Sequence, residues 1–224
     1  MPFIGAKPAT VPLTSADLED NIITSGKLNN DIISGQTALA TAPADTDEFL
    51  ISDAGVLKRL DASLVGGGGI TEADMYRLTA SVTDDANPIS TNIERVDNAT
   101  FSKMGTGVSV SSGVFSFAST GLYLVTFNAT FFFDGGADSN VNAYIQGTSD
   151  NGSNWDYLAL AECGGDTGNN KKKEATTQTY FNCTNVSTHK IRFKTESMAS
   201  NSLLGDTDIN KTTFTFIRLG DSQW

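Results

Sequence analysis

The feature that most constrains the fold is a β pattern in the segment that ends at Phe127. Large residues alternate there, at Tyr123, Val125 and Phe127, and a period of two places these side chains on one face of a strand. An apolar run at 114–117 precedes them, and the residues between are turn formers, among which Gly121 can take a positive φ. The pattern predicts two adjoining strands at the centre of a β-rich domain.

The same segment resembles the signature of the jelly roll of tumour necrosis factor and complement component one q. Both the residue types and the spacing of G-V-F-x-x-x-x-x-G-x-Y-x-V-x-F are present from Gly113 to Phe127. In that family the two strands lie at the centre of a trimeric β-sandwich, so the resemblance implies a homotrimer. For its aromatic contact at the three-fold axis we nominate Tyr123, Phe127 and Phe131. Period two alone does not say whether their face meets a neighbour or the domain's own core.

From residue 70 onward β patterns recur at short intervals, joined by turn-rich segments. Their number, about nine or ten, indicates a mainly β fold and a jelly-roll β-sandwich. The position of the final pattern is consistent with what the resemblance implies, a last strand that returns to the core beside the first. Between the patterns, 162–173 is predicted as a polar, Gly-rich loop. The predicted strands are 75–82, 88–96, 108–117, 121–133, 140–146, 155–161, 177–183, 189–194 and 212–219.

The N-terminal residues contain a short repeat, 20–26 followed by 30–35, in which an apolar pair precedes a polar-Gly turn. Such units cannot bury their apolar edge alone, so they suit a shaft of several chains or an arm laid on another protein. The repeat is similar to the N-terminal regions of fibre proteins of marine tailed bacteriophages. That resemblance implies docking on the virus particle, for which we nominate Phe3, Ile4, Val11 and Leu13. A disordered acidic tail is the alternative.

A second small unit follows. Residues 47–60 read as strand, tight turn and strand, and a lone hairpin is marginal in water unless it pairs with another copy or subunit. The hairpin is similar to one found in phage virion proteins. Four glycines at 66–69 read as a hinge. The predicted organisation is therefore an extended arm (1–43), a hairpin unit with its hinge (44–69) and a jelly-roll head (70–224).

Charge and hydropathy exclude several classes of protein. The net charge of −11 argues against nucleic-acid binding, which needs a basic patch. The sequence contains no apolar run of membrane-spanning length, and its N-terminus does not resemble a signal peptide. We expect synthesis in a host cytoplasm and incorporation into a virion. Cys163 and Cys183 are interpreted as free thiols, with a disulfide as the lesser alternative.

Catalytic and metal-binding patterns are absent from the sequence, so neither an enzyme nor a cofactor is predicted. The single histidine, His189, is interpreted as a strand-surface or interface residue. The segment 134–140 is rich in oxygen ligands, yet it lacks the spacing of an EF-hand and is predicted to be a solvated loop. A polysaccharide depolymerase stays a distant alternative.

The segment 148–155 resembles the Asp-box of sialidases. Its physical content is a hairpin turn in which Asp150 accepts hydrogen bonds from nearby backbone, Gly152 allows the turn and Trp155 packs beneath it. The chain has one copy and no evident arginine cluster, so a structural hairpin is favoured over a glycan contact.

Together these observations predict a homotrimeric fibre or spike protein of a tailed phage, with a head that faces outward. The alternative is a capsid-decorating trimer without receptor binding. Expected partners are the chain itself, tail or capsid proteins, and a host-surface glycan or protein. Loops on a rigid scaffold commonly carry binding. The residues nominated for receptor contact are Asp134, Asp138, Asp150, Trp155, Lys171 and Lys172.

Overall fold

The computed structural model describes residues 14, 35–41, 43–44, 46–65, 69–134, 140–164, 171–199 and 201–223. The chain divides into two compact units, Met1–Gly67 and Gly68–Trp224. The docking candidates Phe3, Ile4, Val11 and Leu13 lie outside the described residues, as do the arm repeat up to residue 34 and Asp138. The three-part division of the chain stays a prediction.

The first unit contains the predicted hairpin, which is confirmed. Strands β1 (Glu48–Asp53) and β2 (Val56–Asp61) pair antiparallel, and a short 3-10 helix, Ala62–Leu64, follows. The two residues between the strands, Ala54 and Gly55, have φ of 51° and 85°, the left-handed conformation that a tight hairpin turn requires.

The second unit is a sandwich of two antiparallel sheets, so the predicted mainly β jelly-roll fold is confirmed. In the described part of the chain, one sheet has seven strands in the order β11-β8-β14-β3-β4, with β13 beside β8 and β5 beside β3. The other has five, in the order β10-β9-β12-β7-β6. The strands are β3 (Ala73–Leu78), β4 (Ile93–Arg95), β5 (Lys103–Met104), β6 (Ser109–Ser111), β7 (Val114–Ser116), β8 (Gly121–Phe133), β9 (Asn140–Thr148), β10 (Asp156–Gly164), β11 (Lys171–Cys183), β12 (Lys190–Glu196), β13 (Asn201–Leu203) and β14 (Thr213–Gly220).

The final strand, β14, lies between β8 and β3, the first strand of the second unit. It therefore returns beside that strand as predicted. In this position β14 contributes Phe214 and Phe216, both buried, to the aromatic centre of the core. The rings of Phe193 and Phe214 are 4.5 Å apart between their centres, which joins β12 of one sheet to β14 of the other. Aromatic pairs at this separation stabilise a core by about 0.5–1.5 kcal/mol beyond simple burial.

The three aromatic residues nominated for a trimer interface lie in this core. The side chains of Tyr123, Phe127 and Phe131 are 0% exposed in a single chain, because the odd-numbered residues of β8 point between the two sheets. The Tyr123 hydroxyl is also occupied, since its oxygen lies 3.1 Å from Glu72 Oε2 and 2.9 Å from the Ser119 carbonyl oxygen, and its one proton is shared between these acceptors. A candidate contact surface has to be sought on the other face of β8.

Several local predictions need correction. The predicted strand 108–117 is two strands, β6 and β7, which pair antiparallel around Ser112 and Gly113. Gly121 is the first residue of β8 and is not among the positive-φ glycines; a Cβ there would lie 2.8 Å from the Gly220 carbonyl oxygen. Its lack of a side chain therefore permits the close approach of β14 rather than a turn. The predicted loop 162–173 is also too long, because residues 162–164 belong to β10 and 171–173 to β11. Pairing with β9 and β8 extends both strands beyond their apolar pattern.

Candidate functional site

A groove with a volume of about 510 Å³ lies on the outer face of the five-stranded sheet. Strands β12, β7 and β6 form its floor, and the hairpin between β9 and β10 forms one wall. The residues that matter for its chemistry are Ser111, Val114, Asn151, Trp155, Lys190 and Arg192. Its volume is in the range of small-ligand sites, which is about 300–1,000 Å³.

The floor follows from strand alternation and register. In β12, Ile191 is 0% exposed in the core, so its neighbours Lys190 and Arg192 point to the outer face. Arg192 lies opposite Val114 of β7, which in turn lies opposite Ser111 of β6. The groove floor is therefore a cross-strand surface of one basic, one apolar and one hydroxyl residue.

The wall is the hairpin predicted from the Asp-box-like segment, and its structural part is confirmed. Thr148 Oγ1 accepts hydrogen bonds from the backbone N–H of Asp150 and of Gly152, at 3.2 and 3.1 Å. The Asp150 carboxylate accepts one from the Asn154 backbone N–H at 3.0 Å. Gly152 has φ of 91°, and a Cβ there would be 3.5 Å from the ring of Trp155. The turn thus seats the indole against its own backbone.

The same bonds act on the Asp150 carboxyl group, which is fully exposed. Hydrogen bonds from the Thr148 hydroxyl and from Asn154 lower the pKa of Asp150 from 3.8 to about 2. The carboxylate is therefore ionised at neutral pH, and its oxygen atoms accept hydrogen bonds from Thr148 and Asn154 within the hairpin.

Arg192 stands out among the five arginines of the chain, all of which are described. The other four form ion pairs, with Glu48, Glu94, Asp74 and Asp221. Arg192 instead lies with its guanidinium carbon 4.3 Å from the centre of the Trp155 ring, and its Nε donates to Gln146 Oε1 at 2.7 Å. It has no carboxylate partner among the described residues. Burial lowers the pKa of Arg192 below its ordinary value.

The groove is basic on a chain that is strongly acidic. Lys190 contributes a second cation, and its Nζ donates to the Val186 carbonyl at 2.8 Å. Among the described residues, no Asp or Glu side chain faces the groove, because the carboxylate of Asp150 in the wall is bonded to Asn154, although the net charge of the chain is −11. A local positive potential against an acidic background favours anionic ligands.

A different surface lies on the outer face of the seven-stranded sheet. A cross-strand row of apolar residues runs over it, with Tyr180 opposite Leu124, Leu124 opposite Ile217, and Ile217 opposite Ala73. Tyr180 is 69% exposed, and the other three are partly exposed. These four residues and the neighbouring Leu122 are called the Tyr180 face below. Contiguous exposed apolar surface of this kind is typical of an interaction site.

The structure separates the residues nominated for receptor contact. Asp150 and Trp155 lie together in the groove wall, whereas Lys171 and Lys172 are exposed residues of β11 in the other sheet. Asp134 is exposed directly after β8. Lys190 and Arg192 were not nominated from the sequence, although their spacing of two along the predicted strand 189–194 placed both on one face. The contact of Arg192 with Trp155 depends on the hairpin between β9 and β10, which the strand pattern does not predict.

Three further observations concern the described residues only. No group of three or more His, Cys, Asp or Glu side chains is arranged to hold a metal ion. No described helix is long and apolar enough to cross a membrane. Cys163 and Cys183 are free thiols, and burial raises the pKa of each.

Comparison with known proteins shows similarity to solved structures. No protein-family model matches the chain, and no curated protein matches it. The structure of Eiger TNF from S. frugiperda superposes with a TM-score of 0.54 at 13% identity, over 70% of this chain and 97% of that one. Murine APRIL at pH 5.0 gives a TM-score of 0.49 at 12% identity, over 66% and 98%. The first of these likenesses shows the fold of the chain, a tumour-necrosis-factor-like jelly roll.

Proposed function

We propose that this chain, whose second unit is a tumour-necrosis-factor-like jelly roll, is a homotrimeric structural protein of a tailed-phage virion. In this proposal the N-terminus docks on the particle and the jelly-roll head faces outward for attachment to the host surface. The phage assignment is supported by the arm repeat at 20–35 and the hairpin at 47–60. The chain acts as a binding and structural protein, without an enzymatic role.

The observation that carries self-association is the Tyr180 face. Burying apolar surface contributes about 25 cal/mol per Å², and tyrosine is enriched in the centres of protein interfaces. The row of Tyr180, Leu124, Ile217 and Ala73 crosses four neighbouring strands of one sheet, and each copy in a trimer can contribute the same patch. This surface replaces the core residues Tyr123, Phe127 and Phe131 in the trimer hypothesis.

The hairpin unit supports assembly independently. Leu50 and Leu57 are 75% and 70% exposed, and Phe49 and Val56 are 42% and 59% exposed. An isolated two-stranded hairpin is marginally stable in water. Pairing of these apolar residues between copies would stabilise both the hairpin and the assembly.

The arrangement of the two surfaces supports attachment. The Tyr180 face and the Trp155 groove lie on the outer faces of opposite sheets of one sandwich. Outer faces of a sandwich point in opposite directions. A trimer that covers the Tyr180 face therefore leaves the groove open, which favours an attachment role over a purely capsid-decorating one.

The first test is the solution mass of the full chain by light scattering. A trimer of 23.7 kDa chains is expected, and Tyr180→Glu should shift it towards the monomer by placing charge in the apolar row. The matched control is Lys172→Glu, an exposed position on the same face of β11. A monomeric wild-type chain would contradict the proposal.

The second test is binding of the labelled full chain to host cells. Saturable binding is expected for an attachment head. A trimer that binds no cells would support the capsid-decorating alternative instead.

A further inference from the structure

We propose that the groove beside Trp155 binds a carboxylated saccharide and that Arg192 pairs with its carboxylate. The inference rests on the proposed attachment role, for which it names the chemical class of the ligand.

Arg192 is positioned for an external carboxylate. A guanidinium has five N–H donors, and only the one on Nε is used within the described residues, by Gln146. The donors on its two terminal nitrogens match a carboxylate in bidentate geometry. The contact with the Trp155 ring and the hydrogen bond to Gln146 hold the planar group in place, so little side-chain entropy is lost on binding.

Electrostatics in the groove favours the same ligand. Lys190 projects from the same face of β12, two residues from Arg192 and thus about 7 Å along the strand. The guanidinium is partly withdrawn from water, and burial lowers its pKa. An incoming anion would restore the interaction that the other four arginines already have within the chain.

The remaining lining fits the ring and hydroxyl groups of a sugar. The hydroxyls of Ser111 and Ser116 and the side-chain amide of Asn151 make no hydrogen bond to other described residues. They can donate to or accept from sugar hydroxyls. Val114 and Trp155 provide apolar surface for the C–H groups of a pyranose ring. A few polar groups placed around apolar surface are typical of small-ligand sites.

The experiment measures binding of tetragalacturonic acid to the full chain by calorimetry, with its fully methyl-esterified form as the neutral analogue. We expect the acid to bind and the ester to bind at least about tenfold more weakly, because the charge-assisted pair is lost. Binding of the acid should also weaken with added salt.

Three variants locate the site. Arg192→Gln should weaken binding about tenfold or more. Ser111→Trp keeps Lys190 and Arg192 and should weaken binding to a similar extent, because the larger side chain fills the groove. This second variant still tests the site if Arg192→Gln unfolds the protein. Lys103→Gln, which removes an exposed cation of β5 in the other sheet, should bind like the wild type. Thermal unfolding of each variant confirms that it is folded.

Several outcomes would overturn the inference. These are equal affinity for acid and ester, unchanged affinity in folded Arg192→Gln and Ser111→Trp, or loss of affinity in Lys103→Gln alone. Equal affinity for acetate, or for a tetra-aspartate peptide, would show an anion contact without saccharide recognition. If the chain is a trimer that binds cells but does not bind the saccharide, only this inference is refuted and the proposed function stands. If the chain is a monomer that binds the saccharide, the proposed homotrimer is refuted and the saccharide site stands.

Discussion

The guanidinium of Arg192 and the indole of Trp155 are stacked, with 4.3 Å between the guanidinium carbon and the ring centre. One residue comes from the strand β12 and the other from the hairpin that precedes β10, so the contact ties the groove wall to the groove floor. Cation–π contacts stabilise by about 0.5–2 kcal/mol, depending on how far the pair is withdrawn from water.

Replacing Trp155 should therefore be measurable as a coupling energy. In a double-mutant cycle of Trp155→Ala and Arg192→Gln, we expect the urea unfolding free energies to give a coupling of about 0.5–2 kcal/mol. Trp155→Phe is the control, since a smaller aromatic ring keeps part of the interaction. Strictly additive effects of the two substitutions would show that the contact contributes nothing.

A methyl group at Gly121 should destabilise the sandwich. Its Cβ would lie 2.8 Å from the Gly220 carbonyl oxygen, a backbone atom that cannot move without shifting β14. We expect Gly121→Ala to lower the free energy of unfolding by about 1–3 kcal/mol, as for overpacked sites. The control is Gly220→Ala, where a Cβ meets nothing within 4 Å. Equal effects of the two substitutions in denaturant titrations would argue against the close approach.

The two faces of β8 should respond differently to truncation. Phe127 is 0% exposed, so Phe127→Ala should lower the free energy of unfolding by about 3–5 kcal/mol. Leu124→Ala, on the Tyr180 face, should lower the free energy of unfolding of the single chain by less than Phe127→Ala does. It should instead weaken self-association, which light scattering would show as a mass that depends on protein concentration. If Leu124→Ala leaves the mass unchanged while wild type is a trimer, the contact lies elsewhere.

The Asp150 hairpin should loosen in acid. The pKa of Asp150 in the folded protein, about 2, is below its ordinary value of 3.8. The carboxylate therefore makes its full contribution to the stability of the hairpin when the pH is above 3.8. That contribution is lost as the pH falls from about 4 through 2. Thr148→Val removes the hydrogen bond that the Thr148 hydroxyl donates to the Asp150 carboxylate, and should raise the pKa of Asp150 towards 3.8 in an NMR titration. Asp206, whose pKa is about 2 chiefly through its bond to Lys211, should not change and serves as the internal reference.

Much of the strand architecture was predictable because alternation is a local property. The predicted strand 121–133 coincides with β8, and the placement of Tyr123, Val125 and Phe127 on one face follows from period two. The strands β5 and β13 were missed, since they have two and three residues and exist through pairing with β3 and β8.

The groove was half predictable. The hairpin at Asp150 and Trp155 was visible as turn chemistry, but its neighbour on β12 was not. Arg192 lies 37 positions after Trp155, and nothing local distinguishes it from a solvated basic residue. Antiparallel pairing of β12 with β9 and β7 brings it under the indole.

The amino-acid sequence by itself determined the β class of this protein, the hairpin at 48–61 and the two faces of each long strand, because turn residues and side-chain alternation act over a few positions. Only the tertiary structure decided which face of β8 is core and why residue 121 is a glycine. It also decided that one arginine among five has no carboxylate partner in the described part of the chain. These depend on which strands become neighbours, a choice made by burial across the whole sandwich.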